Sequence, residues 1–253
     1  MPMSLRRCLA VLAVVATAIT SLAGSPADAQ RAQAPRGGQG AADNVAGRFD
    51  YLALVLSWSP TYCAGARSDR DALQCAPRDG KRYSFVLHGL WPQHERGWPQ
   101  HCPTGTRPFV PRGVIDGMLD IMPSPQLVIH QYRKHGTCSG LSAADYFKMS
   151  RRLFEKVRIP ARFQHPGQAF TASPAEIMRD FLSANPGLKA DQIAIACDSK
   201  DSRLTEVRVC FSRDGAFRAC GRNEEARRLC RAPRLFVPPV RGTPDSKRDG
   251  RRI

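Results

Sequence analysis

Four of the chain's six histidines fall near two short segments. The first is His88-Gly89-Leu90-Trp91-Pro92-Gln93, with His94 just beyond; the second is His130-Gln131-Tyr132-Arg133-Lys134-His135-Gly136-Thr137-Cys138. A lone histidine is usually a satisfied core or surface residue. Two histidines and a lysine within six residues, beside another histidine at a strand end, point to catalysis. On a helix, Gln131 and His135 are i,i+4 and share a face, while Lys134 is i,i+4 from His130 and i,i+3 from Gln131. A cation, an amide and imidazoles then border one groove near the helix C-terminus. Metal chelation fits poorly. His130 and His135 are about 140° apart around a helix, whereas H-E-x-x-H metal helices use i,i+4. Lys134 would repel a cation, and no nearby carboxylate compensates. No metal and no cofactor are expected.

Two imidazoles can divide the work of general base and general acid near neutral pH. A lysine can neutralise charge developing on a phosphorane. RNA carries an internal nucleophile, its 2′-OH: one histidine removes that proton, the other protonates the leaving 5′-oxygen, and the cation holds the phosphate. DNA lacks the 2′-OH and would not be cut.

These side chains need a strand end and a helix end to carry them. Phe49 to Trp58 reads as a buried strand. Lys81 to His88 reads as a second, with Tyr83, Phe85 and Leu87 on one face and Ser84, Val86 and His88 on the other. Gly89 and Pro92 should break its ladder. Ser124-Pro125 is an N-cap with Pro at the first helical position, and Gly136 suits a left-handed stop, so 125–135 should be helical. Another helix starts at Ser142 with Asp145 as its box partner and stops before Pro160. The next starts at Ser173-Pro174, with Glu176 as box partner, and ends near Asn185. Strands follow near 192–197 and 204–211, with Asp214-Gly215 turning into a strand at 216–220. Helices and strands are grouped rather than alternating, which argues α+β.

The chain has 253 residues and a formal net charge of +16, a balance that attracts polyanions without choosing among them. With 42% hydrophobic residues, a wholly disordered or fibrous chain is excluded. Residues 1–29 read as an export signal: Arg6 and Arg7, an apolar run from Leu9 to Ile19, and an Ala27-Asp28-Ala29 cleavage site. That run is shorter than the roughly 20 residues a membrane span needs, and no later segment approaches that length. Residues 30–47 read as a flexible leader, 48–240 as the catalytic domain and 241–253 as a basic disordered tail. Cys8 leaves with the signal. The eight remaining cysteines, in an exported chain with no C-x-x-C pair, suggest four disulfides rather than zinc. Spacing alone leaves 105 connectivities open.

HGLWPQ (88–93) and HQYRKHGTC (130–138) resemble the two active-site segments of the ribonuclease T2 family. LALVLSWSPTYC (52–63) is similar to that family's first strand, and VRVCFSRDGAFRAC (207–220) to its late cysteine hairpin, so the resemblance spans roughly residues 49–240. It implies a central antiparallel sheet flanked by helices and an exported endoribonuclease acting on single-stranded RNA. The route is a 2′,3′-cyclic phosphate, without metal and with low base specificity. It also implies roles: His135 as first-step base, His88 as acid, His130 as phosphate ligand and Lys134 as transition-state cation. Trp91 would lie at a base-binding site, bordered by Gln93; for Trp58, core packing is the simpler reading. Implied pairings are Cys63–Cys75, Cys102–Cys138, Cys197–Cys230 and Cys210–Cys220. The Arg-, Ala- and Pro-heavy composition suggests a bacterial, periplasmic or secreted member, expected as a monomer. One departure stands out. The family's second segment usually reads His-Glu, and here it is His130-Gln131, so the usual carboxylate is missing. The alternative reading is therefore a basic RNA-binding or cytotoxic protein with weak or no catalysis; a metal-dependent phosphoesterase is a further rival.

Overall fold

The computed structural model describes residues 44–65 and 72–240. The expected signal (1–29), most of the leader and the tail (241–253) lie outside the described residues. Among the described residues there are six strands: β1 (Tyr51–Trp58), β2 (Phe85–Gln93), β3 (Phe170–Ala172), β4 (Ile193–Cys197), β5 (Leu204–Phe211) and β6 (Leu235–Val237). The same residues form eight α-helical segments. They are α1 (Ser59–Gly65), α2 (Ala72–Cys75), α3 (Arg112–Asp116), α4 (Pro125–Lys134), α5 (Ala143–Lys156), α6 (Ala161–Gln164), α7 (Pro174–Ala184) and α8 (Ala226–Leu229). The main sheet is antiparallel in the order β2-β1-β5-β4, and β3 pairs with β6 beside it. The architecture is α+β.

β1 is central and, apart from Ser57, buried along its length. A strand's side chains alternate between faces, and here both faces are covered. Leu52, Leu54, Leu56 and Trp58 enter the main core with Tyr146, Phe163, Ile177 and Phe181. Trp58 is a core residue, its indole N–H donating to Pro238 O at 3.2 Å. Tyr51, Ala53 and Val55 look the other way, with Cys210, Trp91 and Cys220 against them. That second face carries the polar groups described below.

β2 departs from expectation in a way that matters. Its ladder does not break at Gly89 or Pro92 but runs on to Gln93, because β2 is an edge strand, where a proline's missing N–H is tolerated. The register changes instead: Leu87 pairs with Leu56 and Gly89 with Val55, leaving His88 as the extra residue of a β-bulge. Tyr83 and Ser84, expected in this strand, lie outside it.

The helices begin where their caps lie. Ser124 accepts from Leu127 N at 3.2 Å, with Pro125 in the first turn. Ser142 caps α5 by accepting from Asp145 N, and Ser173 with Glu176 forms a complete capping box on α7. Gly136 is not the left-handed stop of α4. The chain tightens into a 3-10 turn over Gly136–Ser139, and Gly140 takes the positive φ of 76°. Gly136 is required for another reason: a Cβ there would lie 2.4 Å from Tyr132 Cδ2. The expected strand at 216–220 is reduced to one bridge, Phe211 to Phe217, after Gly215 turns the chain at φ 92°. Residues 44–47, expected to be leader, belong to the fold: Gln100 N donates to Asn44 Oδ1 and Gly47 N to Cys138 O.

Among the described residues four disulfides close: Cys63–Cys75, Cys102–Cys138, Cys197–Cys230 and Cys210–Cys220. The second ties the turn after α4 to the loop after β2. Removing this 36-residue cross-link in a Cys102→Ser/Cys138→Ser variant is expected to cost about 2–4 kcal/mol in urea unfolding. A loss below about 1 kcal/mol would show that packing alone holds the loop.

Candidate active site

The bulge and the end of α4 bring the two histidine segments to one indole. The His88 ring lies 5.2 Å from Trp91, edge-on at 76°, and the His135 ring lies 4.9 Å from it, stacked at 20°. The Trp91 N–H donates to Gln131 Oε1 at 2.8 Å, and the Arg208 guanidinium sits 5.0 Å from the ring centroid. Trp91, expected at a base-binding site, thus has its ring and its N–H engaged by the protein's own groups. This crowding requires Gly89, since a Cβ there would lie 2.2 Å from Gln131 Oε1 and 2.7 Å from Trp91 Nε1. Gln93, expected to border substrate, is only 2% exposed, and its amide oxygen accepts from Asn223 at 3.0 Å. It belongs to the interior.

His135 is 4% exposed, and its Nδ1 is buried without a protein hydrogen-bond partner. Burial, reinforced by the charges of Lys134, His88, His130 and His101, pushes its pKa down to about 2. It is therefore neutral. Burial also lowers the His130 pKa, with Lys134, His101 and His88 adding to the effect. Lys134 sits at the end of the helix, its carbonyl accepting from His101 N at 2.8 Å.

Three residues of this site were not foreseen. His101 carries a positive φ of 52° beside Cys102. Its signal was the implied Cys102–Cys138 pairing, which brings residue 101 to the end of α4. Glu206 and Arg208 come from β5, on the face that also carries Cys210. Glu206 Oε1 is 2.8 Å from His88 Nδ1, and its Oε2 accepts from Arg208 Nε at 3.1 Å and Nη2 at 2.8 Å. Arg208 Nη1 in turn lies 3.6 Å from Glu224 Oε1, and Glu224 accepts from the Tyr51 hydroxyl. Two charged residues spaced i,i+2 in a mostly apolar strand are the available signal. Among the described residues, no group of three or more His, Cys, Asp or Glu side chains is arranged to hold a metal ion.

Residues 49–220 match the model of the Ribonuclease T2 family. A ribonuclease of Aeromonas hydrophila is 41% identical over 203 residues, covering 79% of this chain and 90% of the relative. Among solved structures, the RNase-related protein from Calystegia sepium superposes with a TM-score of 0.59 at 19% identity, covering 77% of this chain and 99% of that one. A variant of RNase MC1 in complex with 5′-UMP gives 0.55 at 22% identity, covering 74% and 98%. At these identities the structural likeness concerns the fold.

Two outcomes follow from the geometry. Gly89→Ala must displace the Gln131 amide or the indole. Its expected signature is altered tryptophan fluorescence with at least a tenfold activity loss, on the scale of about 1.4 kcal/mol; wild-type spectra and rate would show that the contact yields freely. For His135 the unfolded imidazole titrates near about 6.5 and the folded one near 2. Between these values the unfolded chain binds a proton that the folded chain rejects. Stability is thus full above about pH 6.5 and falls with acid, by at most about 1.4 kcal/mol per pH unit. From pH 6.5 to 4.5, before most carboxylates titrate, His135→Gln should flatten the loss of Tm seen in the parent. An equally steep loss in the variant would count against a buried neutral His135.

Proposed function

The chain belongs to the ribonuclease T2 family and is an endoribonuclease of that type, and we propose that it cleaves single-stranded RNA by metal-independent transphosphorylation through the site around Trp91. The observation that carries this reading is the placement of His88 and His135 against the same indole, at 5.2 and 4.9 Å between ring centroids. Neutral His135 takes the proton from the 2′-OH. The 2′-oxygen attacks phosphorus, and protonated His88 gives its proton to the departing 5′-oxygen. The products are a 2′,3′-cyclic phosphate and a 5′-hydroxyl. In the second step His88 takes a proton from water, which opens the ring, and His135 returns a proton to the 2′-oxygen. Lys134 offsets the phosphate charge in the transition state, and His130 helps hold the phosphate by donating a hydrogen bond.

The chemistry of the donor set supports a route without a metal: base, acid and counter-charge are all side chains, and the ammonium stands where a cation would be repelled. Low base specificity is supported by the engagement of Trp91 and the burial of Gln93, which leave neither free to read a base edge. RNase MC1, of the same fold, was solved with 5′-UMP, which agrees with a nucleotide-sized subsite. Four disulfides favour an oxidising compartment. With the sequence pattern at 1–29, they support export to the periplasm or medium. No helix among the described residues is long and apolar enough to cross a membrane.

The test is incubation with polymeric RNA in excess EDTA from pH 4 to 8, with mass spectrometry of the ends. Cyclic phosphate and 5′-hydroxyl ends are expected. His88→Ala and His135→Ala should each lose about 100- to 10,000-fold in rate with binding largely kept. Tight binding with intact RNA would instead favour the non-catalytic binder, and activity abolished by EDTA and restored by Mg²⁺ or Zn²⁺ a metal-dependent phosphoesterase.

A further inference from the structure

His88 acts in the proposed reaction through one nitrogen, and the structure contains a device that chooses which. The device lies on the sheet face away from the main core. β2 and β5 flank β1, so their backbones are about 10 Å apart. The bulge leaves His88 unpaired on β2, and Glu206 pairs with Ser57 on the far side of β1. Their side chains meet across the intervening strand at 2.8 Å, Oε1 to Nδ1. The carboxylate cannot turn, because Arg208 holds its second oxygen with two hydrogen bonds. Arg208 is itself held by Glu224, 3.6 Å away, and lies near Trp91.

Burial pushes the Glu206 pKa up, but the His88 hydrogen bond and the Arg208 charge outweigh it and bring it down to about 2. Glu206 is therefore ionised at neutral pH, and an ionised carboxylate only accepts hydrogen bonds. His88 Nδ1 must then carry the hydrogen in both its neutral and its cationic form, and proton exchange is confined to Nε2. The other titratable groups at the site are Lys134 and His130 from α4, His135 just after it, His101 from the loop after β2, and Arg208 from β5, with the Glu224 carboxylate behind Arg208. Gln131 supplies no charge, and its oxygen is taken by Trp91. Among the described residues, Glu206 is the carboxylate hydrogen-bonded to a site imidazole.

We propose that Glu206, clamped by Arg208, is the positioning residue that fixes His88 in its Nδ1–H tautomer and so presents Nε2 to the scissile phosphate. The proposal rests on the nuclease reading for its catalytic consequence, but not for the tautomer.

The test combines ring ¹⁵N NMR of the full chain with kinetics on a dinucleoside monophosphate, for the parent, Glu206→Gln and Glu206→Asp. The neutral His88 ring of the parent should report hydrogen on Nδ1. Glu206→Gln should lose that preference and drop kcat by about 100-fold or more, with KM held within about twofold. Glu206→Asp should keep the tautomer and recover at least about a tenth of the parental kcat. A purely structural ion pair would lower Tm and leave both tautomer and kcat of the folded fraction unchanged. A parent His88 protonated on Nε2, or a folded Glu206→Gln enzyme with parental kcat, overturns the proposal. Should Glu206→Gln not fold, the parent tautomer and the aspartate variant decide. A parent that cuts no RNA but shows the Nδ1–H ring overturns the nuclease reading and keeps the tautomer assignment.

Discussion

Trp91 is the side chain on which both halves of the site bear. His88 from the bulged strand and His135 from the end of α4 rest against its ring, and Gln131 holds its N–H. Each contact is modest. An aromatic pair contributes about 0.5–1.5 kcal/mol beyond area burial, and a net hydrogen bond about 1 kcal/mol. Together they set the rotamer of a ring that spaces two imidazoles. The backbone must approach closely for this to happen. Gly89 leaves room for the Gln131 amide, and Ala53, opposite Trp91 on β1, keeps the sheet surface low beneath it. On the other face of β1, Leu52, Leu54 and Leu56 anchor the sheet to the helices. One strand therefore supports the core with alternate residues and the site with the rest.

Charge is the second constraint. His88, His101, His130, Lys134 and Arg208 surround the site, and protonation of His135 is opposed by the first four. β5 supplies the balance. Glu206 accepts from Arg208 and meets His88, while Arg208 faces Glu224, whose carboxyl is pushed up by burial despite the Tyr51 and Arg208 contacts. Asn223 locks this end of the network, donating to Gln93 Oε1 and to the carbonyls of His94 and Gly97. The buried amide of Gln93 thus has a structural use in holding the strand that carries His88.

What could be read in the sequence was local. Ser124 with Pro125, Ser142 with Asp145 and Ser173 with Glu176 set helix starts through contacts within three positions, and each start is where it was expected. The two histidine segments were legible for the same reason, since i,i+3 and i,i+4 relations follow from the helix period. The bulge was not, because it exists only in the register of β2 against β1. Gly89 and Pro92 read as breakers, whereas the edge position of β2 makes both tolerable. Glu206 meets His88 across 118 positions of sequence, and no local pattern announces such a pair. The left-handed turn that Gly136 suits by type belongs to Gly140, because close packing against Tyr132 and a positive φ both select glycine and look alike in one sequence.

The burial of His135 connects fold and reaction. A neutral imidazole with an unpartnered Nδ1, stacked on an indole and facing Lys134 and three further basic side chains, is an unfavourable place for a proton. The same neighbours attract a phosphodiester. On the proposed reading, the bound anion offsets the Coulomb part of the opposition to protonating His135, while the desolvation part remains. The base would then gain basicity when substrate is present and stay neutral when it is not. Burial would set the resting state, and the phosphate would supply the counter-charge for the proton that His135 accepts.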